Sequence, residues 1–305
     1  MACQIHSYLR GRGVDLRLNQ TVTGFYEEDG RLYTQLEGRE AVGADLAILA
    51  IGVAPETHLA KEAGLSLGIR ESILVNERME TSDPDIYAVG DAVQVRHFVS
   101  GADSLIALAG PANKQGRIAA DNICGRDSRF DGSQGSSIIR LFDMTAASTG
   151  LNEKAATAAG IPWEAVVTYS ASHAAYYPGA TDMTVKTLYN PENGRILGAQ
   201  IVGFDGVDKR IDVLATAIRA GMTGEDLEEL DLAYAPPYSS AKDPVNMAGF
   251  VIGNIRSGLL KQFNWKDMEE LQKQRGEGKI TLLDTRTERE YAQGHFQGSV
   301  NIPLD

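Results

Sequence analysis

A chain of 305 residues is long enough for about two domains and a substantial core. Its 41 acidic residues against 29 basic ones give a formal charge of -12, a surface that repels phosphate backbones and anionic lipid and so argues against nucleic-acid and membrane partners. No stretch approaches the ~18 apolar residues of a membrane span, and residues 1–20 carry Arg10, Arg12 and Arg17 without the apolar run of a signal peptide, which predicts a cytoplasmic protein.

Ile5, Tyr8 and Leu9 share one face of an opening helix that runs into Gly11 and Gly13, after which residues 14–18 read as a strand. Alternating strands are predicted at 21–27 and 31–36 across a Glu-Asp-Gly turn. Residues 44–57 have the continuous apolar run of a buried parallel strand.

Residues 81–91 read Thr-Ser-Asp-Pro-Asp-Ile-Tyr-Ala-Val-Gly-Asp, and their stretch 86–89 predicts a short buried strand between a Ser-Asp-Pro turn and Gly90-Asp91. Gly90 lets a ligand come close to the backbone. Asp91, at the carboxyl end of that strand, can accept a hydrogen bond from a polyol hydroxyl, where open α/β sheets hold their ligands. A helix should begin at Ala109-Gly110-Pro111-Ala112-Asn113: Pro111 suits a first turn, and Gly125 is placed to end it. Ala112, Gly116, Ala119, Ala120 and Ile123 supply its small-residue face, and its amino terminus carries partial positive charge.

Residues 132–135 read as a linker. Strand candidates follow at 137–142, 164–169, 183–189 and 195–202. A helix over 206–220 then sets Val207, Ile211, Leu214, Ala215 and Ile218 at core spacing, the pattern of an α+β unit. Two aromatic loops interrupt it, Ser-His-Ala-Ala-Tyr-Tyr-Pro-Gly at 172–179 and a Tyr-Ala-Pro-Pro-Tyr run opening 234–246. Proline and glycine there fix turn or polyproline geometry and can present a phenol rigidly, although rings in such loops also serve simply to cover an apolar edge. His173 has no sequence-local acid or nucleophile beside it and is expected to be structural. Cys3 and Cys124 give no disulfide framework and no metal-ligand spacing with the five histidines, so no metal site is expected. Cys124 is expected to be a small buried hydrophobe.

Residues 81–91 resemble the second FAD-binding signature of the pyridine nucleotide-disulfide oxidoreductases, and residues 44–57 are similar to that family's crossing from its NAD domain back to its FAD domain. The resemblance implies FAD as cofactor and NAD(P)H as co-substrate. It assigns Thr81, Gly90, Asp91, Ala109, Gly110, Pro111 and Ala112 to the flavin, with Asp91 on the ribityl chain and the helix start at the pyrimidine edge. The implied fold is a partial α/β FAD/NAD(P)-binding fold, then an α+β dimerisation domain, then the start of an α/β rhodanese domain. Boundaries are expected at 1–50 (end of the NAD(P)-binding domain), 51–130 (second FAD-binding segment), 136–258 (dimerisation) and 263–305 (rhodanese). The last rests on Leu-Leu-Asp-Thr-Arg at 282–286 and Gly-His-x-x-Gly-x-x-Asn-Ile-Pro at 294–303, a segment too short to bury its own core and so expected to be weakly ordered or packed on the main body.

Tyr-Tyr-Pro-Gly and Tyr-Ala-Pro-Pro narrow the resemblance to coenzyme A-disulfide reductases and their NADH oxidase and polysulfide reductase relatives. By that resemblance the protein is a homodimer reducing a coenzyme A disulfide, persulfide or polysulfide. Tyr176 and Tyr234 reach the partner's redox cysteine, Asn113 lies on the substrate side and Lys242 contacts coenzyme A. The opening residues hold no Gly-x-Gly-x-x-Gly turn, and the family's cysteine segment is absent, so this chain alone is expected to be catalytically incomplete. NADH oxidase or peroxidase activity, or a non-catalytic dimerisation module, are the alternatives.

Overall fold

The computed structural model describes residues 1–264 and 267–304, and its contacts divide into two units, Met1–Gly253 and Asn254–Asp305. Trp265, Lys266 and Asp305, which fall in the expected rhodanese segment, lie outside the described residues.

The first unit opens with helix α1 (Ala2–Gly11) and an antiparallel meander of β1 (Val22–Glu28), β2 (Arg31–Leu36) and β3 (Arg39–Ala44). Its third strand escapes a reading by pattern, since Arg39 to Ala44 is short and half polar. Residues 14–18 form no strand, and the run 44–57 corrects its own expectation: Leu46, Ile48, Leu49, Ile51 and Val53 are 66–90% exposed and in no ladder. Strand-forming side chains specify a strand only where a neighbour offers backbone partners, and no described segment pairs with them. Residues 86–89 are corrected likewise. Tyr87 makes one bridge to Glu80, while Ile86 and Val89 are exposed. A small core of Met79, Val93, Val95, Ala119 and Phe130 gathers this region against α3 (Ala109–Ile123).

The same region holds α2 (His58–Glu62), β4 (Val95–Arg96) and β5 (Asp103–Ser104). Beyond it, β6 (Ser137–Leu141), β7 (Met144–Gly150), β8 (Glu164–Ala171), β9 (Asp182–Tyr189) and β10 (Ile196–Gly203) form an antiparallel sheet in the order β6-β7-β10-β9-β8, with α4 (Glu153–Ala158) between β7 and β8 and α6 (Gly224–Glu228) later in the chain. The central strands β9 and β10 are buried on both faces, whereas the edge strands are open. Helix α5 (Val207–Ala220) lies on β10 and β7, burying Val207, Ile211, Leu214 and Ile218, each side chain contributing roughly 1.5–3 kcal/mol. Gly221 ends it in the left-handed region at φ 71°, a C-cap that favours glycine. Strand β7 was missed because Met144 to Gly150 is built of small and hydroxyl residues. Helix α1 reaches the same sheet through Gln4, whose Nε2 donates to Thr184 Oγ1 at 2.9 Å, and through Tyr8, edge-on to Phe142 and Phe204.

Arg210, on the second turn of α5, is 1% exposed and must satisfy a charge away from water. Its Nε and Nη2 donate to Asp243 Oδ2 at 3.1 and 2.9 Å, Nη2 also to Ser172 O at 2.9 Å, and Nη1 to Gly206 O at 3.3 Å. Asp243 is completed by Ser239 Oγ (2.7 Å) and by the Val245 N–H (3.0 Å) at the start of α7 (Pro244–Arg256). Residues 244–246, expected in a loop, are therefore helical.

The second unit holds α8 (Met268–Gly276), α9 (Glu288–Gln293) and a parallel pair, β11 (Leu283–Asp284) and β12 (Val300–Asn301), which Asn301 ties together, its Nδ2 donating to Asp284 O and Arg286 O at 3.0 and 2.8 Å. No described residue of this unit is buried, as so short a segment requires.

Burial works against the Asp243 carboxylate, but the Val245 N–H, Arg210 and Ser239 outweigh it and hold its pKa below the ordinary value. The unfolded chain takes up that proton first, so the stabilisation is complete above the ordinary aspartate pKa of ~3.9 and is lost as pH falls through the lowered native value. Asp243→Asn should cost about 3–5 kcal/mol at neutral pH by stranding the guanidinium. In urea titrations from pH 7 downward, the gap between wild type and Asp243→Asn should narrow once the pH drops below about 4.

Candidate functional site

Two groups of predicted residues are assembled. The first surrounds Gly90-Asp91. Thr81 Oγ1 accepts from Asp83 N at 3.2 Å and donates to Asp83 O at 3.0 Å, while its own N–H donates to Ile86 O, so its hydroxyl braces the turn that precedes the glycine. Gly90 sits at φ 90°, and this rather than crowding is why glycine is needed, since an added Cβ would meet open space. Its N–H donates to Gln115 Oε1 at 2.7 Å, and Gln115 is 1% exposed. Sequence reasoning missed Gln115 because a mid-helix glutamine normally faces water; only the glycine it serves explains its burial. Asp91 is exposed and makes no hydrogen bond or ion pair among the described residues, leaving its carboxylate free to accept.

Helix α3 begins after Leu108, whose side chain cannot cap it, so the N–H groups of Ala109 and Gly110 find no partner among the described residues; Pro111 has none to offer. Asn113 Nδ2 folds back onto Ala109 O at 2.8 Å. The expected small-residue face is corrected. The buried positions are Gln115, Ala119 and Asn122, with Ala120 and Ile123 exposed. Asn122 earns its burial by bonding Arg78 O, Ser128 O and Ser128 N. Cys124, just beyond, is exposed rather than buried, because Asn122 takes the inward position at this end of the helix.

These residues fit one side of a flavin site: an open, positive helix start without side chains to obstruct it, beside a glycine turn carrying a free carboxylate.

The second group joins the aromatic loops. Ala174 N donates to Ser239 O at 2.9 Å and lies 3.3 Å from Pro236 O, tying one loop to the other. At their tips the Tyr176 and Tyr234 hydroxyls are 3.1 Å apart, with the residues 76% and 47% exposed. The hydrogen bond with Tyr176, and then partial desolvation, raise the Tyr234 phenol above its ordinary pKa. His173 is buried, its Nδ1 3.2 Å from Ala174 O and its ring edge-on to Tyr177. Lys242 is exposed, with Nζ 6.0 Å from the Phe250 ring centre. A cavity of about 450 Å³ beside Tyr234 is lined by Asp205, Lys209, Pro237 and Tyr238. Lys209, unmarked by any sequence motif, donates to Ala233 O at 3.4 Å and approaches Asp243 to 3.9 Å. Among the described residues no hydrogen bond joins the glycine turn to the tyrosine loops. Cys3 lies on α1 and Cys124 at the end of α3, in neither loop.

Comparison with known proteins matches residues 1–116 to the pyridine nucleotide-disulphide oxidoreductase model, 137–244 to the dimerisation domain of the same enzymes and 267–305 to the rhodanese-like domain. The chain is 34% identical over 248 residues to an NADH oxidase of Methanocaldococcus jannaschii, covering 81% of this chain and 55% of that one. It is 35% identical over 232 residues to an NAD(P)H coenzyme A polysulfide/persulfide reductase of Pyrococcus horikoshii, covering 76% and 52%. The crystal structure of reduced Bacillus anthracis CoADR-RHD superposes with a TM-score of 0.93 at 46% identity, over 100% of this chain and 54% of that one. The chain thus spans about half the length of the curated relatives it matches. The matched regions hold both the glycine turn and the tyrosine loops, and the chain belongs to the FAD-binding, NAD(P)H-dependent pyridine nucleotide-disulphide oxidoreductase family, with a dimerisation domain and a rhodanese-like segment.

Proposed function

We propose that the whole protein to which these residues belong is a homodimeric, cytoplasmic flavoenzyme that uses NAD(P)H to reduce a coenzyme A disulfide, persulfide or polysulfide. The observation that carries this reading is the exposed Tyr176–Tyr234 pair at 3.1 Å, two phenols presented outward on neighbouring loops. The names of the relatives, one a coenzyme A polysulfide/persulfide reductase, support the same acceptor class. The working division is 1–50 for the end of an NAD(P)-binding domain, 51–130 for a flavin-binding segment, 136–258 for dimerisation and 263–305 for the rhodanese-like part.

When bound, FAD supplies the means of taking hydride from NAD(P)H and passing electrons onward. Asp91 would accept a hydrogen bond from a ribityl hydroxyl, with Gly90 fixed by Gln115 and the turn braced by Thr81. The N–H groups of Ala109 and Gly110, ahead of Pro111 and Ala112, would stabilise negative charge at the flavin's pyrimidine edge. Opening a sulfur–sulfur bond requires a thiolate, and neither Cys3 nor Cys124 lies in the tyrosine loops. The phenols of Tyr176 and Tyr234 would donate to the sulfur that leaves, across the dimer, while Asn113 and Lys242 meet the coenzyme A portion.

Tyr176→Phe and Tyr234→Phe should each lower kcat for NADH-dependent thiol release by about 10²-fold, with little change in thermal stability. An unaltered kcat in both would sink the proposed role. The relative named NADH oxidase favours oxygen as the competing acceptor; NADH consumption that needs oxygen and ignores coenzyme A disulfide and polysulfide would select that reading. Asp91→Ala should weaken FAD binding about 10- to 100-fold, the worth of one hydrogen bond to a charged acceptor (~1.5–3 kcal/mol), measured by quenching of flavin fluorescence.

A further inference from the structure

Two phenols on loops 58 residues apart in sequence are held at 3.1 Å. Their own hydrogen bond is exposed, and a bond of that kind contributes only about 0.5–1.5 kcal/mol, less than the cost of ordering even two or three loop residues. Something beneath them must do the ordering. We propose that Arg210 is the positioning residue of the tyrosine pair: with Asp243 as its counter-ion, its guanidinium clamps the roots of both loops and so sets the distance between Tyr176 and Tyr234. The proposal rests on the reading of that pair as the working part of the site.

The contacts run to each loop separately. On the first, Arg210 Nη2 donates to Ser172 O at 2.9 Å, and the backbone reaches Tyr176 four residues later. On the second, the same nitrogen lies 3.1 Å from Ser239 Oγ and 3.4 Å from Tyr238 O, while the Ser239 hydroxyl donates to Asp243 Oδ2 at 2.7 Å. Ala174 N to Ser239 O then joins the two roots directly. Lys209 holds Ala233 O, the carbonyl immediately before Tyr234, and lies 3.9 Å from the same carboxylate. Helix α5, packed on the sheet, gives all of these a fixed origin. A planar fork with five donors can serve a helix carbonyl, a loop carbonyl, a hydroxyl and a carboxylate at once; a lysine ammonium in the same place cannot.

The test is a spectrophotometric pH titration of tyrosinate in the whole protein to which these residues belong, comparing wild type, Tyr176→Phe, Arg210→Lys, and Arg210→Met combined with Asp243→Leu. The double replacement removes the clamp and both charges together, the exchange that buried ion pairs tolerate best. Tyr176→Phe identifies the displaced Tyr234 transition by returning it toward the ordinary phenol value. Arg210→Lys and the double variant should return it as far as Tyr176→Phe does, while melting cooperatively. A variant that melts cooperatively yet keeps the wild-type Tyr234 titration overturns the proposal. If neither folds cooperatively, Ser239→Ala decides, a partial return of the transition supporting the clamp and an unchanged one overturning it. Thiol release separates the two levels. A returned phenol titration with undiminished thiol release keeps the clamp and rejects the catalytic reading of the tyrosines; lost thiol release with an unchanged titration rejects the clamp alone.

Discussion

The buried Arg210–Asp243 pair is the constraint around which the rest of the first unit is arranged. A guanidinium sealed from water is tolerated only when its donors are used, and here they are used on four chain segments: α5 itself, the base of each tyrosine loop and the turn into α7. Satisfying one charge therefore draws together segments that belong to no common strand. An apolar substitute could fill the same volume, yet would carry no directional information about where Ser172 and Ser239 must sit.

That arrangement explains what could be read from the sequence and what could not. Strands β8, β9 and β10 and helix α5 were legible because their apolar spacing and their packing agree, each strand having a neighbour and α5 a sheet to cover. Residues 46–53 and 86–89 carry the same kind of pattern and fail, because the pattern specifies a face while a ladder needs a continuous partner: 46–53 pair with no described segment, and 86–89 have a single bridge, from Tyr87 to Glu80. The tyrosines and the Gly-Asp turn were legible as motifs. The residues that hold them in place were not: Arg210 reads as one more exposed cation on a helix, Gln115 and Asn122 as solvent-facing amides, and their burial follows only from backbone groups brought to them by tertiary structure.

The two assembled groups are built on a common plan. In each, a turn or loop bears the chemically useful atom, and a buried polar side chain on a neighbouring helix fixes it: Gln115 of α3 for Gly90-Asp91, Arg210 of α5 for the tyrosine loops. The helix pays for its position by burying apolar residues, Ala119 with Ile118 in one case and Ile211 with Leu214 in the other. Precision in the loop is thus inherited from packing in the helix.

This plan also separates two kinds of vulnerability. Removing a phenol or the Asp91 carboxylate deletes an exposed group whose loss the fold scarcely registers, because none of these atoms helps to fill a core. Removing Gln115 or Arg210 leaves a backbone N–H or a carboxylate stranded in low dielectric, so its effect on stability and its effect on the site arrive together. A loss of function at the tyrosine loops is therefore informative about chemistry only when the buried clamp is intact. Substitutions at the clamp speak to the site only where the variant still melts cooperatively.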